Sequence, residues 1–318
     1  MRRFARRSVL GGMGAIAATT LTAPLAAAAA AKTSVPNPAL DDSHATPRVT
    51  RLVTSLFRDK TSRSVDGTMA HFSRNPMFYT DATLGWYMPT WEALRAVFAQ
   101  YMPTWPVTAR SYPTKIIGDE RSAIVVFTDS PELFGHEIRL IAAVDFRDGR
   151  VARQVDYWDG RHFGIEATNQ LRVTQTQFPL TYGEEVVGEQ SSPVLRQVAA
   201  SLHAALGAGD TAGLFTPDAT FEDLALRTRL AGAQAIGAYV TRAFRTLPYG
   251  AGSAIRHTVG SHQGGGYEWI NEGNGVNHGI VAFELDEHQK ISRLITTWDG
   301  SRLDDTTMTA HLADTLER

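Results

Sequence analysis

The chain has no cysteine among its 318 residues and no marked excess of charge of either sign. Without cysteine there are no disulfides, thiolate metal sites, iron–sulfur clusters or cysteine nucleophiles. The 31 basic residues against 33 acidic ones give a net charge of −2, which does not favour binding to nucleic acid. Neither HExxH nor a paired-carboxylate metal spacing occurs, and G-x-S-x-G is also missing. We therefore predict no metal ion and no serine-hydrolase elbow.

The first 31 residues have the composition of an export signal. Four arginines precede a stretch rich in Gly, Ala and Leu, and an alanine run near Ala26–Ala31 offers small-residue cleavage sites. Arg6–Leu10, with the sequence RRSVL, resembles a twin-arginine motif. This predicts passage through the Tat translocase and a secreted, periplasmic or cell-surface protein. The alternative is a single membrane anchor, although Gly and Ala dilute the stretch below a good span.

Removal of that signal changes the charge balance. It contains four of the arginines and no acidic residue, so the remaining 287 residues have 27 basic and 33 acidic side chains, a net charge of −6. Residues 32–47 are rich in Pro, Ser, Asp and Ala, which predicts a flexible leader.

An internal repeat with a period of about 140 residues fills the rest of the chain. Two copies are predicted, at 48–175 and 193–318, joined by a linker at 176–192. Three pairs of segments match in the same order: Phe78–Trp86 with Thr220–Thr228, Trp91–Pro106 with Ala233–Pro248, and Val155–Gly160 with Ile295–Gly300. Three ordered matches at a nearly constant offset indicate a duplicated domain.

Each copy has helices first and long strands afterwards. Apolar residues at helical spacing predict helices at Val49–Arg58 and Pro193–Leu206, and a second helix in each copy ends before a proline. Three consecutive antiparallel strands are predicted late in each copy: Ala123–Asp129, Glu137–Phe146 and Val151–Tyr157, then Tyr267–Glu272, Asn277–Leu285 and Ile291–Trp298. This order predicts an α+β fold with helices packed on one curved sheet.

Three short segments of the second copy carry a family resemblance: AGD at Ala208–Asp210, LFTPDATFED at Leu214–Asp223, and Gly-x-x-x-Ile at Gly232–Ile236. With the order of elements, they resemble the nuclear transport factor 2-like (NTF2-like) superfamily, including the SnoaL-like polyketide cyclases, ketosteroid isomerase and limonene epoxide hydrolase. The resemblance covers both copies. It implies two tandem cone-shaped domains, each a curved antiparallel sheet wrapped around helices and enclosing an apolar pocket. Members are acid–base enzymes without a cofactor, or binders, so no cofactor is expected.

Asp223 and its counterpart Asp81 are the first catalytic candidates. In ketosteroid isomerase a similar strand ends in the proton-abstracting aspartate; FED matches it at Asp223, and YTD at Asp81 matches less closely. Burial in an apolar pocket raises the pKa of a carboxyl group and makes it a better base. The alternative is an aspartate that closes a turn. The oxyanion tyrosine of the isomerase corresponds to Leu202, which argues against that enzyme's mechanism.

Asp156, in VDYWDG, is the third candidate. The final strand of limonene epoxide hydrolase has a similar element, whose first aspartate activates water. The Arg-x-Asp pair of that enzyme has no counterpart in Ile124–Ser130, and Arg139 on the next strand is a candidate substitute. In copy two, Thr296 replaces Asp156. The Trp-Asp-Gly that follows in both copies is interpreted as structural, a packed ring and a strand-ending turn.

Strand parity suggests one acid–base set in each copy: Asp223 with His278 in copy two, and Asp81, Asp156, Arg139 and His136 in copy one. A surface position is the alternative for each histidine. Aromatic side chains are expected to line a pocket for a flat or polycyclic ligand: Tyr79, Trp86, Tyr87, Trp91, Tyr157, Trp158 and Trp298. Ordinary core packing is the alternative for these rings.

The leading hypothesis is an exported, cofactor-independent acid–base enzyme of cyclase, isomerase or epoxide hydrolase type. Its substrate is expected to be a small apolar carbonyl or epoxide compound. The rival hypothesis is a non-catalytic binding protein for a lipophilic small molecule, and a protein-interaction module with an open sheet face is a third. The expected partners are a hydrophobic small molecule and, during export, the Tat translocase, with the two domains forming a pseudo-dimer.

Overall fold

The computed structural model describes residues 37–273 and 275–316, and the expected signal peptide lies outside them. No helix in these ranges is long and apolar enough to cross a membrane. The described residues contain two sheets, one in each repeat. We call residues 41–171 domain 1 and residues 193–314 domain 2.

Domain 1 has seven strands and six helices among the described residues. Its strands are β1 Asp41–Ala45, β2 Phe78–Asp81, β3 Trp86–Met88, β4 Ser111–Gly118, β5 Ser122–Asp129, β6 Ile138–Arg147 and β7 Arg150–Trp158. Its helices are α1 Pro47–Thr61, α2 Val65–Ala70, α3 Trp91–Tyr101, α4 Pro131–Phe134, α5 Gly160–Phe163 and α6 Ile165–Leu171.

Between the domains lies a short helix, α7 Glu184–Val187. Domain 2 repeats the order of domain 1 with fewer short helices. Its helices are α8 Pro193–Ala208, α9 Ala233–Ala243 and α10 Asp305–Asp314. Its strands are β8 Phe215–Asp223, β9 Thr228–Ala231, β10 Ala254–Ser261, β11 Gly264–Ile270, β12 His278–Leu285 and β13 Ile291–Trp298.

The two sheets have the same strand order, apart from the extra strand β1. The order is β1-β4-β5-β6-β7-β2-β3 in domain 1 and β10-β11-β12-β13-β8-β9 in domain 2. The long strands pair antiparallel as expected, but β2 runs parallel to β7 and β8 parallel to β13. The predicted α+β class with two tandem domains is confirmed, with the correction that each sheet is mixed.

Two segments expected to lack structure are ordered. Asp41–Ala45, inside the predicted leader, forms β1 and pairs parallel with β4. The physical reason is Lys115 of β4, whose buried ammonium group binds the carboxylates of both Asp41 and Glu284. In the predicted linker, Tyr182 is 1% exposed and packs among residues of both domains.

Each sheet buries both faces. In β6, Leu140 and Ala142 face the helices of domain 1, whereas Ile141 and Ala143 alternate with them on the opposite face. That opposite face packs against domain 2 in a cluster that includes Ile280 of β12. The period of two along each strand therefore separates a helix-covered core from a contact between the domains.

A buried ionic network crosses this contact. The guanidinium group of Arg153 on β7 is 0% exposed and donates to Glu268 of β11 at 2.6 Å and to Asp145 of β6 at 3.4 Å. His257 of β10 lies 2.9 Å from the same Asp145 carboxylate, and the hydroxyl of Tyr157 donates to Glu268 at 2.7 Å. Buried charges are tolerated here because each has partners from the other domain.

The Trp-Asp-Gly segments of the two copies bind each other reciprocally. The backbone N–H of Gly160 donates to Asp299 at 3.1 Å, and that of Gly300 donates to Asp159 at 2.7 Å. Each aspartate also accepts N–H groups from its own turn. A β-carbon at Gly160 would approach the Asp299 oxygen to 2.8 Å, so both glycines are needed for this close approach. The structural interpretation of the motif thus extends to the contact between the domains.

We predict that Arg153→Ala lowers the free energy of unfolding by about 3–5 kcal/mol, because Glu268 and Asp145 become unpaired buried charges. The measurement is urea unfolding of the full chain. Arg139→Ala is the matched control: this arginine is exposed on the same sheet, where a substitution changes stability by about 0.5 kcal/mol or less. Equal losses in the two variants would contradict the prediction.

Candidate functional site

Domain 1 contains a cavity of about 160 Å³ between its sheet and its helices. Its walls are mainly apolar and aromatic, with contributions from Trp86, Phe98 and Phe163. The side chain of Phe134, which is 40% exposed, belongs to the same lining and places part of it at the surface. An engineered apolar cavity of about 150 Å³ binds benzene, so this volume suits one six-membered ring.

Asp156 of β7 lines the cavity and is 2% exposed. The hydroxyl of Tyr79 on the neighbouring strand donates to its Oδ2, and the Gln154 amide donates to its Oδ1 at 2.9 Å. Burial raises the pKa of Asp156 from the ordinary 3.8 to about 6, although both hydrogen bonds oppose the shift. Burial also raises the pKa of Tyr79 well above 10, so this phenol remains a donor. The Asp156 carboxylate is thus fixed by two hydrogen bonds, and its pKa lies just below neutrality.

Asp81 lines the same cavity, at the position on β2 that pairs with Asp156 in the parallel ladder. Its Oδ1 accepts the backbone N–H of Leu84 at 2.9 Å, and its Oδ2 accepts the indole N–H of Trp158 at 3.0 Å. Burial raises the pKa of Asp81 to about 7, with a further contribution from the negative charge of Asp156. Two carboxyl groups with pKa values near neutrality therefore share one apolar cavity.

An ion pair that the sequence analysis did not identify completes the polar lining. Lys60, at the end of α1, lies 3.2 Å from an oxygen of Asp129, and both residues line the cavity. The sequence contained a signal: Lys60 follows the buried Leu56 and Phe57 by four and three residues, which places it on the apolar face of the helix. The positive charge of Lys60 stabilises the ionised form of Asp156.

Domain 2 lacks this polar set at the corresponding positions. Sequence offsets of 140 to 146 residues relate Lys60, Tyr79, Asp129 and Asp156 to Leu206, Phe221, Asn271 and Thr296. Asp223 remains, but it is fully buried and accepts four hydrogen bonds, from the backbone N–H groups of Ala225 and Leu226 and from the side chains of Tyr249 and Trp298. Burial raises its pKa to about 6. Asp223 is thus placed to close the turn that follows β8.

His278 does not join Asp223, which corrects the set expected in copy two. It begins β12 on the face directed at domain 1, where its ring nitrogen lies 2.7 Å from the Ala82 carbonyl oxygen. Burial lowers the pKa of His278 from 6.5 to about 4, so the ring is neutral. Strand alternation placed His278 on the same face as Ile280 and Ala282, which is correct. That face was expected to line the pocket of domain 2, because both faces of β12 are apolar and the sequence does not distinguish them.

Arg139 and His136 also lie away from Asp156. Arg139 is exposed, forms an ion pair with Glu137 at 2.8 Å and occupies the face of β6 opposite to the cavity. His136 is exposed, and its ring contacts the ring of Phe163 in an edge-to-face arrangement. Of the copy-one set, the structure therefore brings together Asp81 and Asp156 only.

The aromatic candidates divide in the same way. Tyr79, Trp86 and Trp158 line the cavity. The other four lie elsewhere. Tyr87 is 36% exposed, and Trp91 donates its indole N–H to the Met69 carbonyl oxygen while the Arg74 guanidinium group lies over its ring. Tyr157 faces domain 2, and Trp298 packs in the core of domain 2.

We predict that the ionisation of Asp156 lowers the stability of the chain as pH rises from 4 to 7. The folded chain holds a proton on Asp156 that the unfolded chain releases near pH 4, so this carboxyl alone lowers stability by roughly 3 kcal/mol over that window. Asp156→Asn cannot ionise and should reduce the fall, whereas Asp218→Asn, at an exposed position, should not. Urea unfolding at several pH values measures both slopes, and identical slopes in the two variants would refute the prediction.

No family model and no curated protein matches the chain. Solved structures match with low overall similarity. A steroid delta-isomerase from Pseudomonas aeruginosa is 14% identical over 40% of this chain and 93% of its own, with a TM-score of 0.31. An NTF2-like protein of unknown function from Burkholderia pseudomallei is 15% identical over 40% and 100%, with a TM-score of 0.32. A Shewanella denitrificans protein, provisionally described as a SnoaL-like polyketide cyclase, is 13% identical over 39% and 98%, also with a TM-score of 0.32.

Each of these structures matches about 40% of this chain, which is about the length of one domain. Their names are those of the superfamily that the sequence resembles, and they include isomerase and cyclase proteins as well as a protein without known activity. The described residues themselves show one mixed α+β arrangement of sheet and helices, present twice.

Proposed function

We propose that domain 1 is a cofactor-independent acid–base enzyme for a small apolar carbonyl or epoxide compound. The observation that carries this proposal is the pair Asp81 and Asp156. These two carboxyl groups have raised pKa values and lie on adjacent strands of one apolar cavity, Asp156 buried and Asp81 half-buried. Groups whose pKa lies near the working pH are the most effective proton-transfer catalysts.

Asp156 is the base in this mechanism. At neutral pH it is mainly ionised, and Tyr79 and Gln154 fix its carboxylate by hydrogen bonds. With a carbonyl substrate, Asp156 takes a proton from the carbon next to the carbonyl group, and the C–H electron pair forms the C=C bond of an enol. With an epoxide, Asp156 takes a proton from the water molecule that attacks the ring.

Asp81 is the acid. With a pKa of about 7 it retains its proton on about half of the molecules at neutral pH. It gives this proton to the carbonyl oxygen as the enol forms, or to the epoxide oxygen as the ring opens. The return of the proton to the substrate or to solvent restores both carboxyl groups, so no other reactant is needed.

In this proposal domain 2 supports domain 1 and is not itself catalytic. Thr296 stands in place of the base, and the carboxylate oxygens of Asp223 are occupied by the side chains of its own domain. The two domains replace the two subunits of a homodimer, which is consistent with the apolar cluster and the Arg153 network between their sheets.

A non-catalytic binding protein is the second candidate. Asp81 accepts hydrogen bonds from Leu84 and Trp158. Asp223 accepts the equivalent bonds from Leu226 and Trp298. Because both domains have these bonds, they can be explained by a structural role of the aspartate, and this favours the binding protein. Binding without proton transfer would then be the function of the cavity.

We predict that the chain catalyses deuterium exchange at the α-carbon of cyclohexanone, a one-ring ketone of suitable size, and that Asp156→Asn slows this exchange about 10²–10⁴-fold. The rate should rise as Asp156 ionises near pH 6 and fall as Asp81 loses its proton near pH 7, which gives a bell-shaped profile. Proton NMR in D₂O measures the exchange.

Asp223→Asn is the matched control for Asp81→Asn, because the two aspartates accept the same turn N–H and indole N–H groups. We expect only the substitution at Asp81 to abolish the exchange. Binding of the ketone without exchange at any pH would support the binding protein instead.

We also propose that the protein is exported by the Tat translocase. The support is the RRSVL motif at Arg6–Leu10 and the alanine-rich segment behind it. The paired substitution Arg6→Lys and Arg7→Lys should retain the chain in the cytoplasm, as measured by fractionation of producing cells. Unchanged export of this variant would exclude the twin-arginine route.

A further inference from the structure

The two domains fill the space beside their equivalent aspartates differently. In domain 2 the hydroxyl of Tyr249 lies 3.2 Å from Oδ2 of Asp223, and its ring is fully buried against Trp269. The residue 142 positions earlier, at the same offset that relates Asp223 to Asp81, is Val107. Val107 is 80% exposed. A phenol thus occupies domain 2 where domain 1 has its cavity.

A second pair of residues explains this difference. In domain 2 the Asn271 side-chain amide donates to the Pro248 carbonyl oxygen at 2.8 Å and so holds the segment that places Tyr249. The equivalent of Asn271 in domain 1 is Asp129, whose side chain has no N–H to donate and instead accepts from Lys60 and Ser111. Tyr249 is directed inward by a segment that Asn271 holds in place. The equivalent segment of domain 1, around Val107, has no such hydrogen bond from Asp129.

Asp81 retains room for one more donor. Its Oδ2 accepts the Trp158 indole, as Oδ2 of Asp223 accepts the Trp298 indole. In domain 2 the second donor to that oxygen is the Tyr249 hydroxyl, whereas no described hydroxyl group donates to Asp81. This carboxylate lines the cavity, so a ligand can supply the missing donor.

We infer that the cavity of domain 1 binds a planar six-membered ring that bears a hydroxyl group, with this hydroxyl donating to Asp81 as Tyr249 donates to Asp223. The inference concerns the same cavity and so rests on the site proposed above. The ionised form of Asp81 accepts this hydroxyl, whereas its protonated form is the acid of the proposed reaction. The ring is held by apolar and aromatic walls such as Trp86 and Phe98, and the hydroxyl by one charged acceptor.

The experiment compares phenol with fluorobenzene, a ring of similar size without a donor, by calorimetric titration of the full chain at pH 8. A hydrogen bond to a charged acceptor predicts a dissociation constant for phenol about tenfold lower, or more. This preference should shrink at pH 6, because Asp81 is then mainly protonated and a neutral carboxyl group is a weaker acceptor. This pH comparison needs no substitution and is independent of effects on folding.

Asp81→Asn should reduce the preference for phenol to nearly none, whereas Asp223→Asn should preserve it, because Tyr249 occupies that site. Equal affinities for the two probes, binding of neither probe at millimolar concentration, or an unchanged preference in Asp81→Asn would overturn the inference. Titration with phenol measures binding alone and requires no proton transfer from carbon. The inference thus survives if the exchange reaction fails, and it can fail while that reaction is observed.

Discussion

The contact between the two sheets is the constraint on which the rest of the structure depends. Each sheet places an apolar, strand-alternating face outward, and these faces are buried only where one domain covers the other. Arg153 lies within that contact with no exposure, and its partners Asp145 and Glu268 come from different domains. Separation of the domains would expose apolar strands and leave buried charges without partners, so the two copies form one folded unit.

This contact also determines where each domain can hold a cavity. Because one face of each sheet is committed to the other domain, the interior that remains lies under the helices. In domain 2 that interior is filled by Tyr249 and neighbouring large side chains. In domain 1 a cavity remains, at the cost of the packing that a filled core provides. A well-packed second domain can stabilise a first domain that carries a cavity and two destabilising carboxyl groups.

Much of this arrangement was predictable from the sequence, because a repeat is visible without any knowledge of contacts. The matching segments identified the order of the two copies, the long strands and the equivalence of Asp81 and Asp223. The short strand β1 was missed because its stability comes from Lys115, about seventy residues away, and not from its own composition. His278 was misplaced because a strand that is apolar on both faces gives two equivalent choices, and only the position of the other domain decides between them.

Lys60 and Tyr249 show a different limit. Each lies in a segment with a clear local pattern, yet its importance depends on what its equivalent in the other copy does. Leu206 replaces Lys60, and Val107 replaces Tyr249. The aspartate at the end of β2 and β8 has one structural task in both domains: it accepts the same turn and indole N–H groups. Burial for that task already raises its pKa. In the proposed mechanism, the absence of one tyrosine and the presence of Asp156 are the differences that give this structural aspartate a role in proton transfer in domain 1.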